Sequence, residues 1–124
     1  MSEGRWIKVT VVENIPPREG RAVLVGGQEL ALFNLGPSTA PGAGDRFLAT
    51  DPNCPHQGGP LCDGIVTGTS VVCPLHAWKV DLESGEVTRP THGKGHCVGT
   101  YATKVEDGVV SVQLPAARAH VEAA

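Results

Sequence analysis

Residues 51–82 read DPNCPHQGGPLCDGIVTGTSVVCPLHAWKVDL, and two short Cys/His segments in this stretch flank a hairpin pattern. Ile65-Val66-Thr67 and Ser70-Val71-Val72 are β-branched runs on either side of Gly68-Thr69, a tight-turn signal. From Asp51 to Pro60, Pro and Gly occupy half the positions, so no strand periodicity survives, and a second break falls at Cys73 to His76. The predicted hairpin returns the chain and brings two stiff loops side by side.

Working outward, the same turn chemistry recurs. Trp6 to Val9 opens a strand, Pro16 to Gly20 interrupts it, and Arg21 to Val25 and Gln28 to Asn34 flank Gly26-Gly27 as a hairpin. Gly36 to Asp45 is small and rich in Pro and Gly, as a surface loop is, and Arg46 to Thr50 is the next strand. Trp78 to Leu82 and Glu86 to Thr88 flank Glu83-Ser84-Gly85, while Cys97 to Val105 and Val109 to Leu114 flank Glu106-Asp107-Gly108. The predicted class is all-β and antiparallel. The expected organisation is a single domain over residues 1–115, with a flexible Ala-rich tail over 116–124.

Composition agrees. The chain has 124 residues, one domain's worth, with 16 Gly and 10 Pro to punctuate short strands. Only five aromatic residues occur (Trp6, Phe33, Phe47, Trp78, Tyr101), so Val, Leu and Ile must build the core. The net charge of -3 comes with scattered Lys and Arg, which argues against a nucleic-acid partner. No apolar run approaches the roughly 20 residues that span a bilayer, and no leader pattern opens the chain, so the expected location is the cytoplasm, away from membranes. In that reducing compartment four Cys are better read as metal ligands than as disulfides.

The candidate ligands are Cys54 and His56 in one loop and Cys73 and His76 in the other, with sixteen residues between His56 and Cys73. Two thiolates and two imidazoles suit zinc or a Rieske-type cluster, in which both His bind one iron and both Cys the other. Zinc sites usually pair Cys with Cys and His with His at short spacing. Here each loop offers one of each, which favours the two-iron, two-sulfur cluster and keeps a zinc-bound structural or regulatory domain as the alternative of another class. Gly58, Gly59 and Gly64 permit close backbone approach, and Pro55, Pro60 and Pro74 stiffen the loops. No nucleophile with an adjacent base is found, so the chain is not expected to transform a substrate alone.

NCPHQGGPL together with CPLHAWKVD resembles the Rieske domain of soluble ferredoxin-type proteins, over most of residues 5–114. The resemblance implies an antiparallel β-sandwich with a small cluster-binding subdomain at about residues 51–90. It implies that Cys54 and Cys73 hold the inner iron and that His56 and His76 hold the outer one, near the surface. Rieske proteins of respiratory complexes carry an extra Cys in each loop; the matching positions here are Gly59 and Leu75, so no disulfide braces the loops. Trp78 and Val80 stand where those proteins place a Ser and a Tyr that hydrogen-bond the cluster. Fewer donors imply a reduction potential toward the low end of the family's range.

Outside the loops, Asp63-Gly64-Ile65-Val66, Trp78, Asp81 to Val87 and Cys97 to Tyr101, running into Lys104 to Gly108, resemble the small subunit of assimilatory NAD(P)H-dependent nitrite reductase. That resemblance implies a redox partner, a large subunit carrying flavin, a further iron-sulfur cluster and sirohaem. The alternative is the ferredoxin component of an aromatic-ring dioxygenase, which would serve a reductase and an oxygenase. Cys62 and Cys97 lack ligand spacing and are expected to be small buried hydrophobes. His92 and His96 sit in a Gly-rich loop and are expected to be solvated, and His120 is given no role.

Overall fold

Gly26 and Gly27 have φ of +59° and +86°, the backbone that a two-residue hairpin turn needs, and they join strands β2 (Glu19–Val25) and β3 (Gln28–Pro37) in full antiparallel register. The structure, a computed structural model, describes residues 5–37, 44–53, 60–74, 78–89 and 97–114. These residues form eleven strands and two short 3-10 turns. The other strands are β1 (Arg5–Val11), β4 (Asp45–Thr50), β5 (Ile65–Thr67), β6 (Ser70–Val72), β7 (Lys79–Asp81), β8 (Val87–Arg89), β9 (Thr100–Tyr101), β10 (Thr103–Glu106) and β11 (Val109–Leu114). They make three antiparallel sheets, ordered β1-β11-β10, β2-β3-β4-β9 and β5-β6-β7-β8. The all-β, antiparallel class expected from the sequence is the one observed. No helix among the described residues is long and apolar enough to cross a membrane.

The middle of β3 explains the layering. Leu30, Ala31, Leu32 and Phe33 are all fully buried, which a strand with one wet face cannot achieve. Leu30 and Leu32 face a core made with Ile15, Val25, Phe47, Ala49, Tyr101, Val110, Val112 and Leu114. Ala31 and Phe33 face a second core made with Leu61, Val66, Val71, Cys73, Trp78, Val80, Leu82, Val87 and Val98. Sheet β2-β3-β4-β9 therefore lies between the other two, and its far face carries the sheet β5–β8. Each large apolar side chain so buried stabilises the fold by about 1.5 to 3 kcal/mol.

One polar residue is enclosed with them. Asn34 is inaccessible to solvent, yet its amide donates to the Ile15 carbonyl (2.8 Å) and to Asp45 Oδ2 (3.0 Å) and accepts from the Gly36 N–H (2.8 Å). Satisfied in this way, it ties β3 to β4 and to the turn after β1.

Two expectations are corrected. Cys97 to Val105 is not one strand: Ala102 separates β9, which pairs with β4, from β10, which pairs with β11. The chain changes sheets there, and the following hairpin at Asp107-Gly108 belongs to the outer sheet. The loop expected over Gly36 to Asp45 is also shorter, because Pro37 pairs with Asp45 and extends the β3–β4 ladder; residues 38–43 lie outside the described set. The predicted tail, with His120, lies outside it as well.

Candidate electron-transfer site

Both Cys/His loops are pinched shut at their bases. Asn53 and Pro60 form an antiparallel bridge, and the Leu61 N–H donates to the Pro52 carbonyl at 3.0 Å, closing the neck of the first loop. The Cys73 N–H donates to the Trp78 carbonyl at 2.7 Å and closes the second. Of the four predicted ligands the structure places Cys73, 2 % exposed at the end of β6 and packed in the core beneath the loops. Cys54, His56 and His76 lie outside the described residues, as do Pro55, Gly58, Gly59, Leu75, His92 and His96. Among the described residues no three His, Cys, Asp or Glu side chains gather as a metal site.

The two necks are held against each other. After Pro60 a 3-10 turn (Leu61–Asp63) closes through Asp63 N–H to Pro60 O and Gly64 N–H to Leu61 O. Gly64 then lies so near the last residue of β6 that a Cβ on it would sit 2.3 Å from the Val72 carbonyl oxygen. Only glycine allows this approach, and it puts the exit of the first loop beside the entry of the second. Two loops rooted together, each with a thiolate and an imidazole, fit a shared cluster.

A third segment secures the arrangement from the side. The Asp51 N–H donates to the Gly99 carbonyl (2.9 Å), and the Asp51 carboxylate accepts the Gly99 N–H (2.9 Å) and the Tyr101 hydroxyl (2.6 Å). Gln28 in turn donates its amide to Tyr101 Oη at 3.0 Å. The same strip reaches the β7–β8 turn, where the Val98 N–H donates to the Gly85 carbonyl and Glu86 bridges Cys97. Asp51 stands three residues before Cys54, so this clamp fixes the root of the first loop. Sequence reasoning missed it; Asp51-Pro52 reads only as a turn, and its partners are remote in the chain.

The remaining cysteines differ from expectation in part. Cys62 is half-buried against the loop-side core, and burial, followed by the Asp63 carboxylate, pushes its thiol pKa upward. Cys97 is exposed, not the buried hydrophobe expected, because its strand is a single bridge to Glu86 at the molecule's rim.

Comparison with known proteins decides between the two metal chemistries that spacing left open. Residues 5–105 match the family model of the Rieske [2Fe-2S] domain. The chain is 32 % identical over 118 residues to the 4beta-methylsterol monooxygenase of Methylococcus capsulatus, spanning 89 % of this chain and only 30 % of that protein's length. It is 28 % identical over 109 residues to the ferredoxin component of the naphthalene 1,2-dioxygenase/salicylate 5-hydroxylase systems of a Ralstonia species, covering 88 % of this chain and 95 % of that one. It shares the fold of an NADH-dependent nitrite reductase small subunit from Mycobacterium tuberculosis, with a TM-score of 0.73, 23 % identity, and 90 % and 96 % of the two chains covered. The joined necks and the match across residues 5–105 lead to one conclusion: the chain belongs to the Rieske [2Fe-2S] domain family and transfers electrons through such a cluster.

Proposed function

We propose that Cys54 and Cys73 ligate one iron and His56 and His76 the other, and that the chain serves as the small redox subunit of an assimilatory NAD(P)H-dependent nitrite reductase. The observation that carries the ligand assignment is the joining of the two necks through Gly64 and Val72. The bound cluster supplies one-electron chemistry; the chain's own residues hold it and keep water from its inner side. Leu61, Val71 and Trp78, all buried, pack with Cys73 and make that side apolar. A single domain over residues 1–115 is the unit that does this, in the cytoplasm.

The nitrite reductase reading rests on residues outside the loops: Asp63 to Val66, Trp78, Asp81 to Val87 and Cys97 to Tyr101, running into Lys104 to Gly108. Support comes from where three of these segments lie: Asp63 to Val66 at the neck exit, Asp81 to Val87 at the adjoining turn and Cys97 to Tyr101 in the lateral clamp. A second reading, the ferredoxin component of an aromatic-ring dioxygenase, is favoured by the Ralstonia relative, which is of matching length. The deciding experiment mixes the holo-protein with the large subunit of an assimilatory nitrite reductase or with a ring-hydroxylating oxygenase and its reductase. NAD(P)H-driven nitrite consumption that depends on the added chain supports the first reading; restored ring hydroxylation without an effect on nitrite replaces it with the second.

A further inference from the structure

The outward face of the sheet β5–β8 breaks two local rules at the rung nearest the loops. Register places Ile65 opposite Val72, Val72 opposite Lys79, and Lys79 opposite Arg89, so these four side chains form one row across four strands. The neighbouring row, Val66, Val71, Val80 and Val87, is buried and anchors the sheet. Ile65 is 71 % exposed, next to the partly exposed Val72. Lys79 and Arg89 are like charges directly opposite each other, an arrangement that destabilises a sheet. Among the described residues neither is in an ion pair. Asp81, two residues along β7 from Lys79, is engaged by Thr69 Oγ1, Ser84 N–H and Ser84 Oγ.

The row adjoins both roots of the second loop, since Val72 precedes Cys73 and Lys79 follows Trp78. An exposed apolar side chain alone needs no explanation, and Leu24, opposite Glu29, is as exposed as Ile65. Here an apolar pair and two facing positive charges, without an ion pair among the described residues, meet beside the cluster loops of a chain whose net charge is -3. Features that weaken a fold locally and adjoin a functional site indicate a role in recognition.

We propose that Ile65, Val72, Lys79 and Arg89 form the docking face for a redox partner protein whose own face sets carboxylates around an apolar patch. The Lys79–Arg89 pair steers the acidic partner and fixes its register, and Ile65 and Val72 supply the desolvated contact. On docking, one electron passes between the two centres, one being oxidised and the other reduced, with no atom transferred. The proposal rests on the electron-transfer reading of the loops, whichever partner that reading names.

The test uses the holo-protein, its cluster verified by electron paramagnetic resonance after reduction, in stopped-flow mixing with two acceptors. One is an acidic blue-copper protein, a plant plastocyanin, whose Cu(II) becomes Cu(I); the other is a basic c-type cytochrome. The expected result is that K79E/R89E slows reduction of the acidic acceptor about tenfold at low ionic strength, with the loss fading as salt rises, and speeds that of the basic one. R5E/K8E, an equal change of net charge on the exposed positions Arg5 and Lys8 of β1, stays within twofold of wild type. Lys79→Glu alone separates docking from folding: opposite Arg89 it raises or preserves the melting temperature while it slows the acidic acceptor. Equal losses in R5E/K8E and K79E/R89E, or unchanged rates in K79E/R89E with its cluster signal intact, overturn the docking face alone. A wild-type sample without the cluster signal overturns the electron-transfer reading itself.

Discussion

The Tyr101 hydroxyl donates a 2.6 Å hydrogen bond to Asp51 Oδ1, joining residues 50 positions apart in the chain. Asp51 begins the segment that leads to Cys54, and Tyr101 lies on β9, the edge strand of the middle sheet. A hydrogen bond to a charged acceptor is worth about 1.5 to 3 kcal/mol. Tyr101→Phe should therefore lower the stability of the holo-protein by about 2 kcal/mol in urea unfolding and hasten bleaching of the cluster absorbance. Unchanged stability and colour would show that Gly99 alone holds the loop's root.

Replacing Gly64 tests the joint between the necks. A Cβ there meets the Val72 carbonyl oxygen at 2.3 Å, and backbone cannot yield as a side-chain tip can. Gly64→Ala is expected to cost about 3 kcal/mol and to sharply reduce cluster content per chain. Gly27→Ala, where nothing lies within 4 Å and only the positive φ objects, should cost about 1 kcal/mol and leave the colour intact.

Cys73→Ser and Cys54→Ser should abolish the visible absorbance and the paramagnetic signal of the reduced cluster, whereas Cys97→Ser, at an exposed bridge, should keep both. Iron retained at the wild-type level in either of the first two variants would require a different ligand set.

With Gly59 and Leu75 where respiratory Rieske proteins carry bracing cysteines, and Trp78 and Val80 where they carry a Ser and a Tyr, a potentiometric titration is expected to find a midpoint in the lower half of the family's range of about -150 to +300 mV. A midpoint in the upper half would mean that backbone donors from the loops compensate for the missing hydroxyls.

Thiol labelling should separate the two remaining cysteines. Burial and the Asp63 carboxylate both disfavour the Cys62 thiolate, so its fraction at a given pH is below that of an ordinary thiol, and its alkylation should set in at higher pH. The exposed Cys97 should be modified first, as peptide mapping after brief iodoacetamide treatment can show. Faster labelling at Cys62 would contradict its half-buried placement.

Short-range chemistry was legible in the sequence. Gly26-Gly27, Gly68-Thr69 and Asp107-Gly108 announce hairpins because turn backbones select residues within a few positions, and each hairpin stands where its turn predicts. The matched segments at Cys54 and Cys73 pointed to the proposed ligands for the same reason: a cluster's chemistry dictates residue kinds at fixed spacing. Tertiary structure decided what depends on register and on contacts between distant residues. Ala102 divides one apparent strand between two sheets because β4 and β11 compete for its two ends. Asp51 finds Tyr101 only once β9 has paired with β4, an association between segments 50 residues apart. Lys79 faces Arg89 because the ladder shifts register between Lys79 and Val80, which face Arg89 and Val87. A one-residue shift changes which side chains meet, and no local pattern records it. The sequence by itself thus determined the cluster and the hairpins around it, while packing determined how the loops are rooted and which charges stand beside them.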